Sequence, residues 1–286
     1  MKINPNKCVA CGNCTYVCPV GAIYVDEASG RSTINSDECV ECYSCFNGLS
    51  KEHLNPTIVR TVRSLFKIFR LRFDPEPDVC PTDAFEPDQL SWPRSIRRAF
   101  SDPTVPHEST GVKGRGTEEV KTNDVTGRCH LGEVNFTIEF GRPGVGARFW
   151  EVEKMTMALA AANVPFEKKN PVTALMLMPG GDLATGKLPP EVLNEKVLSC
   201  ICEIKVPLER ADEIIQLVRR VEKGLDTVMV LGAGTRCESD GDERRLLEIL
   251  QRNGYNPQRA KTNAGLGRIS NKAALEAMRE PAGTAK

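Results

Sequence analysis

Apolar residues recur at helical spacing in one stretch of the N-terminal third and alternate in several stretches further on. In the first, Pro56 is placed to open a helix with Asn55 as its cap. Ile58, Val59, Val62, Leu65, Phe66 and Phe69 then fall every three or four positions, while Arg60, Arg63, Lys67, Arg70 and Arg72 fill the remaining surface. The spacing predicts a basic amphipathic helix over residues 55–72. Such a helix packs within the molecule with a solvated basic face, docks on an acidic partner, or lies on a membrane surface, and the pattern leaves all three open. Arg94, Arg97 and Arg98 add to the basic surface and favour an acidic partner.

Beyond residue 130 the period changes. Val134, Phe136, Ile138 and Phe140 alternate onto one face of a predicted strand. A helix is expected over 147–163, with Val152, Met155, Leu159 and Ala162 on one stripe. Further strands are expected at 172–178, 196–206 and 227–231, the last ending in Gly232-Ala233-Gly234, with helices at 210–223 and 242–252. Two consecutive strand–helix–strand units predict a four-stranded sheet with helices on one face, an α+β sandwich whose architecture carries no function by itself. Between the halves, residues 101–116 are irregular and rich in Pro and Gly, and read as a linker or strap. His107 and Gly114-Arg115-Gly116-Thr117 fall there and are expected to be solvated loop and turn.

Composition narrows the class. With 38 Lys+Arg against 38 Asp+Glu the net charge is zero, which argues against nonspecific nucleic-acid binding. No apolar run is long enough to span a bilayer, and the short basic N-terminus leads directly into cysteines rather than a signal peptide, so a cytoplasmic location is expected. A reducing compartment suits thiolates held on metal.

The cysteines change the picture most. Seven of twelve lie in the first 45 residues. Cys8, Cys11, Cys14 and Cys18 form C-x2-C-x2-C-x3-C followed by Pro19; Cys39, Cys42 and Cys45 repeat the first three positions. This is the run by which bacterial ferredoxins hold [4Fe–4S] clusters, the fourth cysteine of one motif serving the other motif's cluster. The second motif lacks its fourth member until Cys80, after 34 intervening residues, where Cys80-Pro81-Thr82-Asp83-Ala84-Phe85 echoes Cys18-Pro19-Val20-Gly21-Ala22-Ile23. Cluster I is therefore assigned to Cys8, Cys11, Cys14 and Cys80, and cluster II to Cys39, Cys42, Cys45 and Cys18. A pair of zinc sites leaves the third cysteine of each run unexplained. Leaving Cys80 unused gives a [3Fe–4S] centre at one site, against which the Cys-Pro echo stands.

The first 85 residues thus resemble the two-cluster ferredoxins at all eight ligand positions. The resemblance implies a 2[4Fe–4S] ferredoxin module, expected over 1–100 with the basic helix inserted; the patterns above then predict a linker at 101–130, a ferredoxin-like α/β sandwich at 131–260 and a tail at 261–286. Three further stretches, residues 114–128, Phe140-Gly141-Arg142-Pro143-Gly144-Val145-Gly146-Ala147-Arg148 and Glu167-Lys168-Lys169-Asn170-Pro171-Val172-Thr173, are similar to 6-hydroxynicotinate reductases. That family implies ferredoxin-derived electrons delivered to an N-heteroaromatic ring in anaerobic metabolism by iron–sulfur flavoproteins. No flavin-carrying part is evident, so a flavin is expected on a partner.

Three functional readings follow. The chain is the electron-transfer subunit of an oxidoreductase, passing low-potential electrons through two [4Fe–4S] clusters to a redox partner; or a self-contained reductase; or a structural or sensory component of an assembly. In the second domain the glycine-rich turn with Arg142, Gly144, Gly146 and Arg148 is a candidate anion site ahead of a helix, though a tight turn explains it equally. Cys129-His130, Cys200, Cys202 and Cys237 are candidates for a further metal, with apolar packing the competing account. Asp182-Leu183-Ala184-Thr185-Gly186 resembles the start of a flavin-attachment motif but is followed by Lys187 where that motif has alanine, so a turn suffices.

Overall fold

The computed structural model describes residues 1–72, 76–106, 128–142, 144–236 and 244–255. The N-terminal part is built from short pieces. Lys2–Ile3 pairs with Phe85–Glu86, and Ile23–Val25 pairs with Ser32–Ile34. Two short helices, α1 (Asn13–Val17) and α2 (Ser44–Asn47), pack on each other between them. α3 (Pro56–Ile68) is the inserted helix. Its start follows the sequence signal: the Asn55 side chain accepts from the Thr57 and Ile58 amides at 2.9 and 3.4 Å, with Pro56 in the first turn. α4 (Ser95–Ser101) leads out of this part.

The second part is an antiparallel sheet of three strands among the described residues. β1 (Glu133–Phe140) lies between β2 (Cys200–Pro207) and β3 (Met229–Thr235). Val134, Phe136, Ile138 and Phe140 are fully buried, against α5 (Phe149–Ala161) and α7 (Ala211–Glu222). Val152, Met155 and Leu159 of α5 and Ile214, Ile215 and Val218 of α7 complete this core. α8 (Arg244–Arg252) packs on α7.

Two expectations are corrected. Residues 172–178 do not form a strand; α6 (Pro171–Met176) is a helix, capped by Asn170, whose side chain accepts from the Val172 and Thr173 amides at 2.8 and 3.4 Å. The Asn-Pro pair that opens α3 opens α6 as well, and it outweighs the apolar composition. Among the described residues the sheet therefore has no fourth strand, and a single antiparallel bridge, Phe166 to Ile204, extends it beyond β2. The glycines of 232–234 also lie within β3 rather than ending it. Gly232 faces Thr137 across the ladder, and a Cβ there would come within 2.3 Å of the Thr137 hydroxyl oxygen. The strand needs a residue without a side chain at that point.

Gly232→Ala is therefore expected to cost about 1–3 kcal/mol through overpacking. Thr137→Ala in the same chain removes the clashing oxygen and is expected to recover most of the loss, measured as unfolding free energy in denaturant. A Gly232→Ala chain as stable as the parent contradicts the tight contact.

Candidate cluster sites

Two cavities sit side by side in the N-terminal part. One is lined by Cys8, Cys11, Cys14 and Cys80 among others; the second by Cys18, Cys39, Cys42 and Cys45 among others. α1 joins them, carrying Cys14 and delivering Cys18 at its end. The backbone shows the internal repeat. Ala10 and Glu41, each in the middle of a C-x2-C, have φ of 59° and 53°; Gly12 and Tyr43 have 85° and 59°; Gly21 and Asp83, three residues after the Cys-Pro cysteines, have 65° and 46°. These left-handed positions are costly for side-chain-bearing residues, and beside them the Asn13 and Glu41 amides donate to the Cys11 and Cys39 sulfurs. The two Cys-Pro segments also repeat one hydrogen bond: the Ala22 amide donates to Cys18 Sγ at 3.2 Å, and the Ala84 amide to Cys80 Sγ at 3.4 Å.

Residues 1–48 match the family model of the 4Fe-4S dicluster domain. The N-terminal segment is a 4Fe-4S dicluster domain. Ferredoxin-1 of Rhodobacter capsulatus is 48% identical to the chain over 42 residues, covering 15% of the chain and 62% of the ferredoxin. Pyruvate synthase subunit PorD of Methanocaldococcus jannaschii is 44% identical over 45 residues, covering 16% of the chain and 51% of that subunit. The chain thus spans less than two thirds of these relatives' length. No solved structure matches it. Cys80 lies beyond the matched segment.

The return of Cys80 to the dicluster domain rests on specific contacts. Ser50–Lys51 and Val79–Cys80 form a parallel ladder. The Asn13 side-chain amide donates to the carbonyls of Glu76 and Val79 at 2.6 and 2.9 Å, and the Thr82 hydroxyl donates to the Lys7 carbonyl at 2.7 Å. Asn13 and Thr82 carry no sequence signal for this role.

Burial raises four of these thiols, Cys11, Cys14, Cys39 and Cys45, above their ordinary range. Cys14 is pushed up to about 11, burial being the largest cause and Cys11, Cys8 and Cys80 adding to it. Cys45 is raised by burial and then by Cys42, Cys39, Cys18 and Cys14, so the two sets feel each other. Cys11 and Cys39 are raised as well, burial again being the main cause. Thiols raised in this way give up their protons more readily beside a cationic centre, and an iron–sulfur core fits the donor set. Among the described residues no three His, Cys, Asp or Glu side chains converge as the ligands of a single ion do. The thiols instead line the walls of cavities.

Arginines from two helices cover the outside of the cysteine loops. From α3, Arg60 donates to the carbonyls of Pro5, Asn6 and Cys8, the last at 3.0 Å, and Arg63 to that of Ala10 at 3.0 Å. From α4, Arg97 donates to the carbonyls of Ser36, Asp37 and Cys39 at 3.2, 2.8 and 2.8 Å. Arg94 pairs with Glu41 at 2.7 Å, and Glu41 also receives the N-terminal amine at 2.8 Å. Arg98 lies over the Tyr43 ring, 4.2 Å from its centre. Arg94, Arg97 and Arg98 are thus turned toward the dicluster domain, which corrects their expected place on a partner-facing surface.

The same region joins the two parts of the chain. Arg97, only 3% exposed, also pairs with Glu195 of the second domain. Glu38 pairs with Lys196 and, at 3.0 Å, with Arg148; Lys196 chiefly, and Arg148 with it, hold its carboxyl below the usual range. Ile96 and Phe100 of α4 enter the second domain's core, Phe100 meeting Phe149 edge-on at 5.2 Å, so the expected boundary at residue 100 falls inside a helix shared by both parts.

The candidate anion-site residues are not gathered into a cradle. Arg142 pairs with Glu139 at 3.1 Å, and Arg148 with the acids just named. A Cβ on Gly146 would come within 2.9 Å of the Val197 carbonyl oxygen, and one on Gly144 within 3.0 Å of that of Pro19. The first amides of α5 donate to the carbonyls of Glu195 and Leu193, which leaves that helix start satisfied by backbone. The turn is a packing surface against the Cys18-Pro19 segment. Cys129, Cys200 and Cys202 are buried, Cys200 and Cys202 in the apolar core with thiols raised by burial. Cys237, His107 and residues 114–117 lie outside the described residues. Asp182 accepts from the Ala184 amide and the Thr185 hydroxyl at 2.9 and 2.6 Å, a local turn.

Glu195→Ala is expected to cost about 3–5 kcal/mol, because it leaves the buried Arg97 without its carboxylate. Hydrogen exchange should then accelerate at residues 36–39 and 196–198 together. Unchanged protection at both would show that the pair does not couple the two parts.

Proposed function

We propose that the chain is an electron-transfer component in which Cys8, Cys11, Cys14 and Cys80 hold one [4Fe–4S] cluster and Cys39, Cys42, Cys45 and Cys18 a second, passing low-potential electrons to a partner reductase. The observation that carries it is the sorting of eight thiols, four to each of two adjacent cavities. Each cluster, when bound, supplies reversible one-electron capacity. The chain's own part is to fix the ligands, exclude water by burial, and turn amides inward, with Ala22 and Ala84 donating to Cys18 and Cys80 sulfurs. Amide donors and nearby guanidinium groups stabilise the more negative state of such a site. That a relative is named as a subunit of pyruvate synthase supports service within a larger enzyme.

A second reading is favoured by one contact. Gly144 of the second domain abuts Pro19, next to Cys18, so an acceptor bound by the second domain would sit beside cluster II. This is the self-contained reductase that the similarity to 6-hydroxynicotinate reductases implies. We also read the second domain as a ferredoxin-like sandwich that has lost one edge strand, supported by its central first strand and the bridge at Phe166.

Anaerobically purified chain is expected to contain about eight iron atoms and to bleach reversibly under a strong low-potential reductant. Clusters that never change redox state would defeat both readings, and bound flavin with turnover by the chain alone would select the second. Cys80→Ala is expected to alter one cluster's paramagnetic signal and lower the iron content; two unaltered [4Fe–4S] signals would remove Cys80 from the ligand set.

A further inference from the structure

α3 is amphipathic in an unexpected sense. Its inward face carries Val59 with Arg60, Val62, Arg63 and Phe66, and the two arginines are bound to loop carbonyls of the first cavity. Its outward face is apolar too. Ile58, Leu65 and Ile68 follow one stripe, with Phe69 beside it, and Ile68 and Phe69 are 73% and 70% exposed. Leu54 and Leu71 are exposed at its two ends. Contiguous exposed apolar surface of this kind marks an interaction site. Lys67 and Arg70, both exposed, form a basic rim at its C-terminal end, and residues 56–72 contain no Asp or Glu.

We propose that this outward face of α3 is the docking surface for an acidic redox protein, one with an apolar centre and a carboxylate rim, so that electrons cross to or from the chain at the cavity of Cys8, Cys11, Cys14 and Cys80. The proposal rests on the electron-transfer reading above. Charge selects the occupant. Residues 256–286 carry six Lys and Arg against two Glu, and are repelled by the rim. A second copy meeting α3 on α3 places like charge on like charge. An acidic protein matches the rim, and the apolar stripe supplies the desolvated centre. The position is also right for the task. One turn inward from the stripe, Arg60 and Arg63 touch the carbonyls of Cys8 and Ala10, so a partner seated here is separated from the first cavity by a single helix. The opposite side of the module is covered by the second domain, which leaves cluster II as the inner member of the pair.

The test is electron transfer from the reduced full-length chain to two protein probes, a flavodoxin (acidic) and cytochrome c (basic). In each event the chain loses one electron and the probe gains it, the flavin taking a proton from solvent. Stopped-flow rate constants at low and high salt are compared for the parent, Lys67→Glu/Arg70→Glu, Ile58→Ser/Leu65→Ser/Ile68→Ser, and a control reversal on the remote helix α8, Arg245→Glu/Arg252→Glu. The expected result is a loss of about tenfold or more for flavodoxin in the α3 charge variant at low salt, fading at high salt. The apolar variant should lose rate at both salt concentrations, and the α8 control should retain it. Oxidation by a small neutral mediator should be unchanged throughout. If the mediator arm itself fails, the electron-transfer reading falls and not this surface alone. Equal rates in parent and α3 variants overturn the docking site, as does an equal loss in the α8 control. Binding to anionic phosphatidylglycerol vesicles that the α3 variants abolish, with flavodoxin rates untouched, assigns the face to a membrane instead. A dimer in sedimentation that dissociates in the apolar variant assigns it to a second copy.

Discussion

A loop that turns its amides inward must turn its carbonyls outward, and the rest of this molecule is arranged round that constraint. The amides of Asn13, Ala22, Glu41 and Ala84 donate to the sulfurs of Cys11, Cys18, Cys39 and Cys80. The carbonyls left on the outside of the loops need donors, because a buried acceptor without one costs free energy. Guanidinium groups meet the need, since one planar fork reaches several oxygens at once. Arg60 and Arg63 serve the first loop, and Arg97 the second. The helices that bear them are appended structures, and each is held in place by what it covers.

The two appended helices then diverge in consequence. α4 continues into the second domain, with Phe100 in its core and Arg97 shared between loop carbonyls and Glu195. The inner half of the dicluster domain is thereby fixed to a folded partner within the same chain. α3 carries exposed apolar side chains on its outer side, Ile58, Leu65, Ile68 and Phe69. The pseudo-symmetry of the cysteine loops is converted into a polar molecule, with one covered side and one open side. That asymmetry gives two otherwise equivalent cavities different surroundings.

How much of this was legible depends on the range of the signal. Cysteine spacing is local, and so is the Cys-Pro echo, which repeats in the structure as the same amide-to-sulfur bond at Ala22 and Ala84. Alternation in β1 and the stripe of α5 were readable because burial imposes strict periods on them. The Asn-Pro start was equally available at Asn170 as at Asn55, yet the β-like composition of the following residues obscured it. What was not legible is tertiary. Nothing near Asn13 says that it holds the backbone of residues 76 and 79, and nothing near Gly232 says that Thr137 lies across from it. The arginines misled for the same reason. Arg94, Arg97 and Arg98 look like solvated charge in a sequence, because the acceptors that bury them, such as Glu195 and the Cys39 carbonyl, are distant along the chain.

The pattern of α3 shows how far a helical period can be pressed. Its apolar residues form two adjacent stripes of one broad arc, Val59–Val62–Phe66 and Ile58–Leu65–Ile68, and its basic residues Arg60, Arg63 and Lys67 lie together on the remaining side. A helix with one task needs one apolar stripe, and its opposite face is free to be polar. Two stripes of different exposure imply two tasks met by one element. The inner one packs and clamps the cysteine loop. The outer one gives the folded chain no burial, and exposed aliphatic side chains carry a standing cost in solubility. Basic residues without any acid over the same 17 residues favour an acidic face over a basic one at that surface.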